Sequence, residues 1–338
     1  MSAKVSLAVA ICNVAQYIEQ CVRSLYEQTL DDIEIVLVND CSPDNSIEIA
    51  LRVLEEYPNR KSQVRVINHE KNEGIANTKR DGILEATGEY VMIIDGDDYV
   101  DRRMTEVMYA KAMETGADMV ITDFFRVDKD SRVVDTLVLD GVTGDGDNVR
   151  NDMINRRVPP FHWTKLIKKS LYEENNVVWP QNSFGEDTVL CVVTAYNAKR
   201  IVHVNEPLYY YRYSATSISR KGQTEEICMR RYNDFKLNFS IAWQFLKGEG
   251  VDGKYKRGKM INKIRVKNRL LPVTDKRKYR KLWWNTYSEI NWVLLFGNKD
   301  YKPTYREWVW VAAIMMGVYP RYKKRLHSKR FLPSVEWV

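Results

Sequence analysis

The chain has no apolar run of the roughly 20 residues that a membrane-spanning helix needs; its run at 308–319, Trp-Val-Trp-Val-Ala-Ala-Ile-Met-Met-Gly-Val-Tyr, stops at 12. Cysteine is scarce and odd in number. Cys12, Cys21, Cys41, Cys191 and Cys228 lack the paired spacing of a zinc site, which excludes a disulfide-stapled or zinc-ribbon scaffold. No secretory n-region and h-region opens the chain, because Lys4 runs straight into a strand-like stretch. With the cysteine usage, this gives the expectation of a reducing, cytoplasmic location. Low-complexity and disorder-type segments are missing too. No Gly-rich, Lys/Arg-bearing phosphate loop follows the first apolar run, which weighs against a nucleotidyltransferase.

What is present is an ample core and a divided charge. The 338 residues are 44% hydrophobic, enough for one large domain or two smaller ones. Residues 251–338 hold 22 Lys and Arg against 6 Asp and Glu, whereas the remaining 250 carry 30 against 39. Six of the nine tryptophans also fall in that last stretch. An acidic front and a basic, aromatic tail point to two separate jobs.

The front is organised around Tyr90–Asp98, Tyr-Val-Met-Ile-Ile-Asp-Gly-Asp-Asp. An uncharged, β-branched run reads as a strand buried on both faces, and the acids fall at its carboxyl end, where open α/β sheets bind ligands. Three carboxylates so close repel one another unless a cation sits among them. Oxygen ligands on a short Asp-Gly-Asp suit Mg²⁺ or Mn²⁺, which keep several waters and bridge to phosphates. An acidic turn capping the next helix is the plain alternative. Upstream, strands are expected at Val5–Ile11, Ile33–Val38 and Val64–Asn68, with helices over Ala15–Gln28, from Asp44 or Ser46 through Leu54, and over Gly74–Ala86. Alternating strands and helices at this spacing predict a doubly wound α/β sheet. Asn13, Asp40 and Asp95 each follow a strand and should cluster along its carboxyl edge. Asp40 there can accept a hydrogen bond from a nucleobase imide, or merely cap the next helix.

Val5-Ser6-Leu7 through Asn13, Val38-Asn39-Asp40-Cys41-Ser42, Asn72-Glu73-Gly74, Ala86-Thr87-Gly88-Glu89-Tyr90 and Ile94-Asp95-Gly96-Asp97-Asp98 together resemble family-2 glycosyltransferases over about the first 125 residues. The resemblance implies a GT-A fold, a nucleotide-sugar donor, a divalent metal (Mn²⁺ or Mg²⁺) and inversion at the anomeric carbon. By that match Asp40 contacts uracil, Asp97 holds the metal on the donor diphosphate, and Asp95 lies on the ribose or metal. Ala10, Cys12, Asn13, Asn72, Gly74 and Gly96 complete the donor side. Lys79 stands where an arginine usually faces the donor, and Arg80 where an asparagine is usual. The first strand departs from the family's Pro-x-Tyr-Asn, reading Ala10-Ile11-Cys12-Asn13, so an aromatic stacking on the base is missing.

Further on, a helix is expected at Met104–Glu114, a strand at Met119–Val127 and a loop at Asp140–Asp147. Phe161–Ile167 resembles the family's Trp-Asn-Lys-Leu segment with Thr164 in place of Asn. Trp163 offers a flat apolar face for an acceptor sugar, or else a core residue; His162 reads as a metal ligand or a hydrogen-bonded structural histidine. Glu186-Asp187 precedes an apolar helical run, where the dipole favours ionised acids. It matches the family's Glu-Asp motif, which implies Asp187 as the base taking the acceptor's proton and Glu186 as its acceptor-binding neighbour. Leu208–Ile218 resembles the closing strand and its Ser-Ile loop; Arg212 could neutralise the departing diphosphate or pair with a surface acid.

Past Lys221 the pattern fades. The expected organisation is a catalytic domain over 1–220, split into a donor half (1–125) and an acceptor half (126–220), followed by a helical, basic region over 221–338. An amphipathic helix is read at Ile227–Leu246, and Lys254–Leu271 carries basic residues at nearly every second or third position. The run at 308–319, followed by Arg321, Lys323, Lys324, Arg325, Lys329 and Arg330, has the composition of a segment lying on an anionic membrane surface, or of a core helix with a solvated basic end. The chain is therefore expected to act peripherally at the inner membrane face on a glycan or lipid-linked glycan acceptor. No nucleic-acid partner is expected, since charge alone is unsupported by a recognised binding fold. The rival expectations are a nucleotidyltransferase and an inactive membrane-bound scaffold of the same fold.

Overall fold

All seven residues of the first strand, β1 (Val5–Ile11), are buried, because parallel strands flank it on both sides. The computed structural model describes residues 3–139, 147–173, 177–181, 184–213 and 224–318. Contacts divide the chain into two units, residues 1–214 and 215–338. The boundary expected at 220 falls outside the described residues, as do nearly all of the Asp140–Asp147 loop, the Ser-Ile loop after Arg212 and the basic tail from Arg321.

In the first unit β1 leads through α1 (Ile18–Tyr26) to β2 (Ile33–Asn39), then α2 (Ser46–Leu54), β3 (Val64–Asn68), α3 (Ile75–Glu85) and β4 (Tyr90–Asp95). These four strands are parallel in the order β3-β2-β1-β4. The chain thus moves outward from β1 to β3 and then crosses back, so the switch point lies between β1 and β4. Right-handed crossovers put α1 and α2 on one face and α3 on the other.

Next come β5 (Tyr99–Val100), α4 (Met104–Thr115), β6 (Met119–Val127), β7 (Val133–Leu137), α5 (Asp147–Ile154), β8 (Lys165–Lys168), α6 (Ser170–Glu173), α7 (Glu186–Asn197) and β9 (Ile201–Arg212). The sheet extends as β4-β8-β6-β9-β5, with β7 on β6. Here it is mixed: β8 runs antiparallel to both β4 and β6, whereas β6 and β9 are parallel. The doubly wound parallel pattern therefore holds for the first four strands and gives way to a mixed sheet beyond them.

Two glycines let the layers approach. A Cβ on Gly82 of α3 would stand 3.0 Å from the Cβ of Ala8, so the helix lies directly on β1. A Cβ on Gly96 would stand 2.7 Å from the carbonyl oxygen of Ala10, which accepts a hydrogen bond from the Gly96 N–H at 3.1 Å. This pins the tip of β4 to the tip of β1.

The second unit is helical over its described residues: α8 (Glu225–Gly248), α9 (Lys256–Asn268), α10 (Arg277–Asn285), α11 (Glu289–Phe296) and α12 (Tyr305–Met315). The Thr224 hydroxyl caps α8 by accepting from the Ile227 N–H, and Thr304 with Glu307 forms a capping box on α12. No helix among the described residues is long and apolar enough to cross a membrane.

Replacing Gly96 by alanine forces backbone apart at the β1–β4 junction. It is expected to cost about 1–3 kcal/mol, read as a lowered urea midpoint at unchanged m-value.

Candidate active site

Each strand of the parallel half ends in a turn that carries polar residues to one edge. Ala10 pairs with Val38 on one side and Asp95 on the other, so the residues after β1, β2 and β4 are neighbours. Asn13 holds a positive φ of 57°, and its N–H donates to the Ser42 hydroxyl at 2.8 Å. Asn72 Nδ2 donates to the Asp40 carbonyl at 3.1 Å and to Cys12 Sγ at 3.3 Å. Ala10, Cys12, Asn13, Asp40, Asn72, Gly74 and Gly96 therefore do come together.

Asp40 is 2% exposed, and its carboxylate is committed to the protein. Oδ1 accepts from the Glu73 N–H at 2.7 Å and Oδ2 from the Gly74 N–H at 3.0 Å, with His69 Nδ1 2.9 Å from Oδ1. It thus anchors the turn into α3, where Gly74 has a φ of 85°. The alternative that Asp40 caps the next helix is not what the structure shows; at α2 the carboxylate is that of Asp44, which accepts from the Ser46 N–H at 3.2 Å and the Ala15 N–H at 2.9 Å.

The centre of the site is Lys79, on α3 and 3% exposed. Its Nζ lies 3.0 Å from Glu186 Oε1, 3.2 Å from Asp187 Oδ1 and 3.7 Å from Asp95 Oδ1. One ammonium ties the tip of β4 to the first turn of α7. Burial alone would lower the lysine's pKa, yet the three acids together raise it well above the ordinary value. Glu186 is pushed up to about 7, first by burial and next by the partly offsetting Lys79 and the Asp187 charge. The expectation that Lys79 faces a donor is replaced by this buried bridging position.

Asp97 is pushed up to about 6, mainly by burial and then by Asp95. Burial is also the main cause that raises Asp95, opposed by Lys79. Asp95 Oδ1 is buried and lacks a hydrogen-bond partner, although the Lys79 charge is near. A buried carboxylate oxygen left unmatched beside a second carboxylate fits a hard divalent cation. Among the described residues no three His, Cys, Asp or Glu side chains are grouped as a ready-made metal cage. The residues present fit an ion completed by water and phosphate oxygens.

Two further expectations are corrected, and of the two readings of His162 the structural one holds. Trp163 is 4% exposed and stacks against Phe161 at 5.0 Å, Tyr209 at 4.6 Å and Tyr211 at 5.1 Å; its ring belongs to an aromatic core and offers no face to a sugar. Arg212 is 2% exposed, and its charge is spent inside the protein rather than on a diphosphate or a surface acid. Nε donates to the Asp97 carbonyl at 2.9 Å, Nη2 to Gln20 Oε1 at 2.7 Å, and Nη1 to the carbonyls of Asp128 and Lys129 at 3.2 Å, with Tyr17 stacked at 4.5 Å. His162 bonds the Tyr172 hydroxyl, and burial pushes its pKa far down, as a structural histidine requires. Sequence reasoning gave no role to Asp98. It is buried and accepts from the Arg212 N–H at 2.6 Å and the Tyr209 hydroxyl at 2.9 Å, fastening β9 under the acidic turn.

In the metal-free protein Asp97→Asn removes an acid whose ionisation opposes folding. The folded acid, at about 6 against 3.8 unfolded, holds a proton that the unfolded chain has released, so its destabilisation grows as pH rises. The variant is expected to be more stable than the parent by about 3 kcal/mol near pH 7 and about 1 kcal/mol near pH 4.5, measured by denaturant titration with chelator present.

The model of the family described as "Glycosyl transferase family 2" matches residues 6–137. The uncharacterized glycosyltransferase EpsJ of Bacillus subtilis is 33% identical over 239 residues, covering 68% of this chain and 67% of that protein. Among solved structures, Staphylococcus aureus TarS 1–349 in complex with UDP-GlcNAc superposes with a TM-score of 0.64 at 19% identity, over 99% of this chain and 95% of TarS. The mannosyltransferase PcManGT of Pyrobaculum calidifontis, in complex with GDP-Man and Mn²⁺, does so at 0.53 and 18%, over 98% and 89%. At those identities the two structures establish a shared fold. With the acidic turn, the Glu-Asp helix start and the sheet edge in place, the chain belongs to glycosyltransferase family 2 and is a glycosyltransferase.

Proposed function

We propose that the enzyme moves a sugar from a nucleotide-sugar donor, a UDP-sugar, to a hydroxyl of a glycan or lipid-linked glycan, inverting the anomeric carbon. The observation that carries this reading is the Lys79 bridge. It sets the acids at the tip of β4 and those at the start of α7 around a single ammonium. Asp97 and Asp95 would hold Mn²⁺ or Mg²⁺, which when bound neutralises charge on the departing diphosphate. Asp187 takes the proton of the acceptor hydroxyl as that oxygen bonds to the anomeric carbon and the bond to the diphosphate breaks. Lys79 contacts Asp187 through Oδ1, and the second oxygen is outside that contact. Glu186, on the same ammonium, holds the pair in place. Asn13, Asn72 and the turn anchored by Asp40 form the floor of the donor side. The basic second unit belongs to the same reading, as the part that brings the enzyme to an anionic membrane surface where lipid-linked acceptors reside.

The test is release of free nucleoside diphosphate from a panel of nucleotide sugars in the presence of Mn²⁺. A single productive UDP-sugar is the expected outcome; no release from any donor would overturn the reading.

General-base assistance is worth about 10²–10⁴-fold, so Asp187→Asn should lower turnover by at least about 10²-fold while donor binding by calorimetry survives. Asp97→Ala should abolish the thermal stabilisation that Mn²⁺ and nucleoside diphosphate give the parent. A variant still stabilised by the metal would remove Asp97 from its place.

A further inference from the structure

The last helices of the second unit are apolar on both faces. Ile290 and Leu294 of α11 and Val311 and Ile314 of α12 are buried, as one side of each helix must be. The other side should be polar, and is not. Trp292 is 67% exposed, Phe296 75%, Tyr305 82% and Trp308 46%; Met315 and Met316, at the end of α12, are 57% and 70% exposed.

These side chains form one surface. Trp292 and Phe296 sit one helical turn apart and stack at 5.7 Å. Phe296, Tyr305 and Trp308 line a common groove with Leu295, and Leu295 also borders the neighbouring groove that holds Trp292. Tyr305, Trp308 and Met315 recur at helical spacing along one side of α12.

Charge around the ridge is predominantly positive. Lys299 and Lys302, in the turn between α11 and α12, are exposed. Asp300 lies in the same turn; of the other nearby acids, Glu289 pairs with Lys263, and Glu307 is held by Thr304 and Tyr301. In sequence, α12 leads into Arg321, Lys323, Lys324 and Arg325. Aromatic rings beside an excess of lysines complement an interface whose depth is apolar and whose surface is anionic.

We propose that the α11–α12 ridge is a membrane-docking face, inserting Trp292, Phe296, Tyr305 and Trp308 among the acyl-chain ends of an anionic bilayer while Lys299 and Lys302 meet its headgroups. The proposal rests on the reading above in taking a lipid surface as partner, and it is independent of the transfer chemistry.

The full-length protein is mixed with vesicles of phosphatidylcholine alone or with phosphatidylglycerol, and bound protein is measured by sedimentation. Binding to the anionic vesicles, weakened by salt, with a blue shift of tryptophan emission is the expected result. The double variant Trp292→Ser, Phe296→Ser alters two exposed side chains and should fold; its vesicle partition should fall by at least about tenfold. Metal-stimulated nucleoside-diphosphate release from the productive donor should be unchanged in that variant. Loss of that activity in the parent would therefore be a failure of the transferase reading and not of this one. The docking face is refuted if the double variant sediments like the parent. It is equally overturned if emission does not shift on vesicle binding, or if the parent is a dimer that the double variant turns to monomer, since a second copy would then cover the ridge.

Discussion

A lysine ammonium buried among three carboxylates is the constraint on which the rest of the first unit depends. Transferring any one of these ions out of water is unfavourable by several kcal/mol. Lys79 is nonetheless held charged, because Asp95, Glu186 and Asp187 all lie within 3.7 Å of it. The charge balance stays negative: one cation faces three acids, with Asp97 beside them. Burial, with that surplus added, keeps Glu186 and Asp97 reluctant to ionise. The surplus also leaves an electrostatic preference for a second cation at the Asp95–Asp97 end. The acids at the tip of β4 and those at the start of α7 are thus coupled through one side chain.

The sheet supplies the precision that such a cluster needs. Asp95 closes β4 where Gly96 abuts the Ala10 carbonyl, and Lys79 stands on a helix pressed against β1 at Gly82. Asp98 and Arg212 then tie β9 beneath the acidic turn. Arg212 therefore acts by position. Its guanidinium, bonded to the Asp97 carbonyl and to the 128–131 turn, fixes the backbone that presents Asp97, while the carboxylate itself stays available.

Much of this was legible in the chain because it is locally encoded. The bounds of β1, β3 and β6 agree with the largely apolar, β-rich runs that announce them, and Glu186 begins α7 as the acid pair before an apolar run implies. What was not legible depends on partners far away in sequence. Trp163 resembles a sugar platform until Tyr209 and Tyr211 arrive to cover it. Asp40 anchors a turn more than thirty residues later in the chain, as its bonds to Glu73 and Gly74 show. Nothing beside Lys79 in the sequence marks it as a bridge, since two of its three acids are more than a hundred positions away. Asp98 was hidden by its neighbours: three acids in four residues read as one ligand set, whereas the fold assigns the third to a strand.

Composition also misstates the second unit, and in an instructive direction. A count of lysines and arginines treats each as surface charge. Lys267 is fully buried, donates to the carbonyls of Trp283 at 2.5 Å and Thr286 at 2.6 Å, and is pulled down to about 7 by burial. Lys263 is neutralised by Glu289, and Lys276 and Lys278 by Glu225. Part of the basic excess is therefore internal or paired, and net charge alone is a weak argument for an anionic partner. The exposed aromatics carry more weight. Burying a cation among carbonyls helps to hold the helices of the unit in place, whereas leaving Trp292 and Phe296 in water contributes nothing to the isolated fold. A surface that costs solubility without adding stability is explained by what it touches.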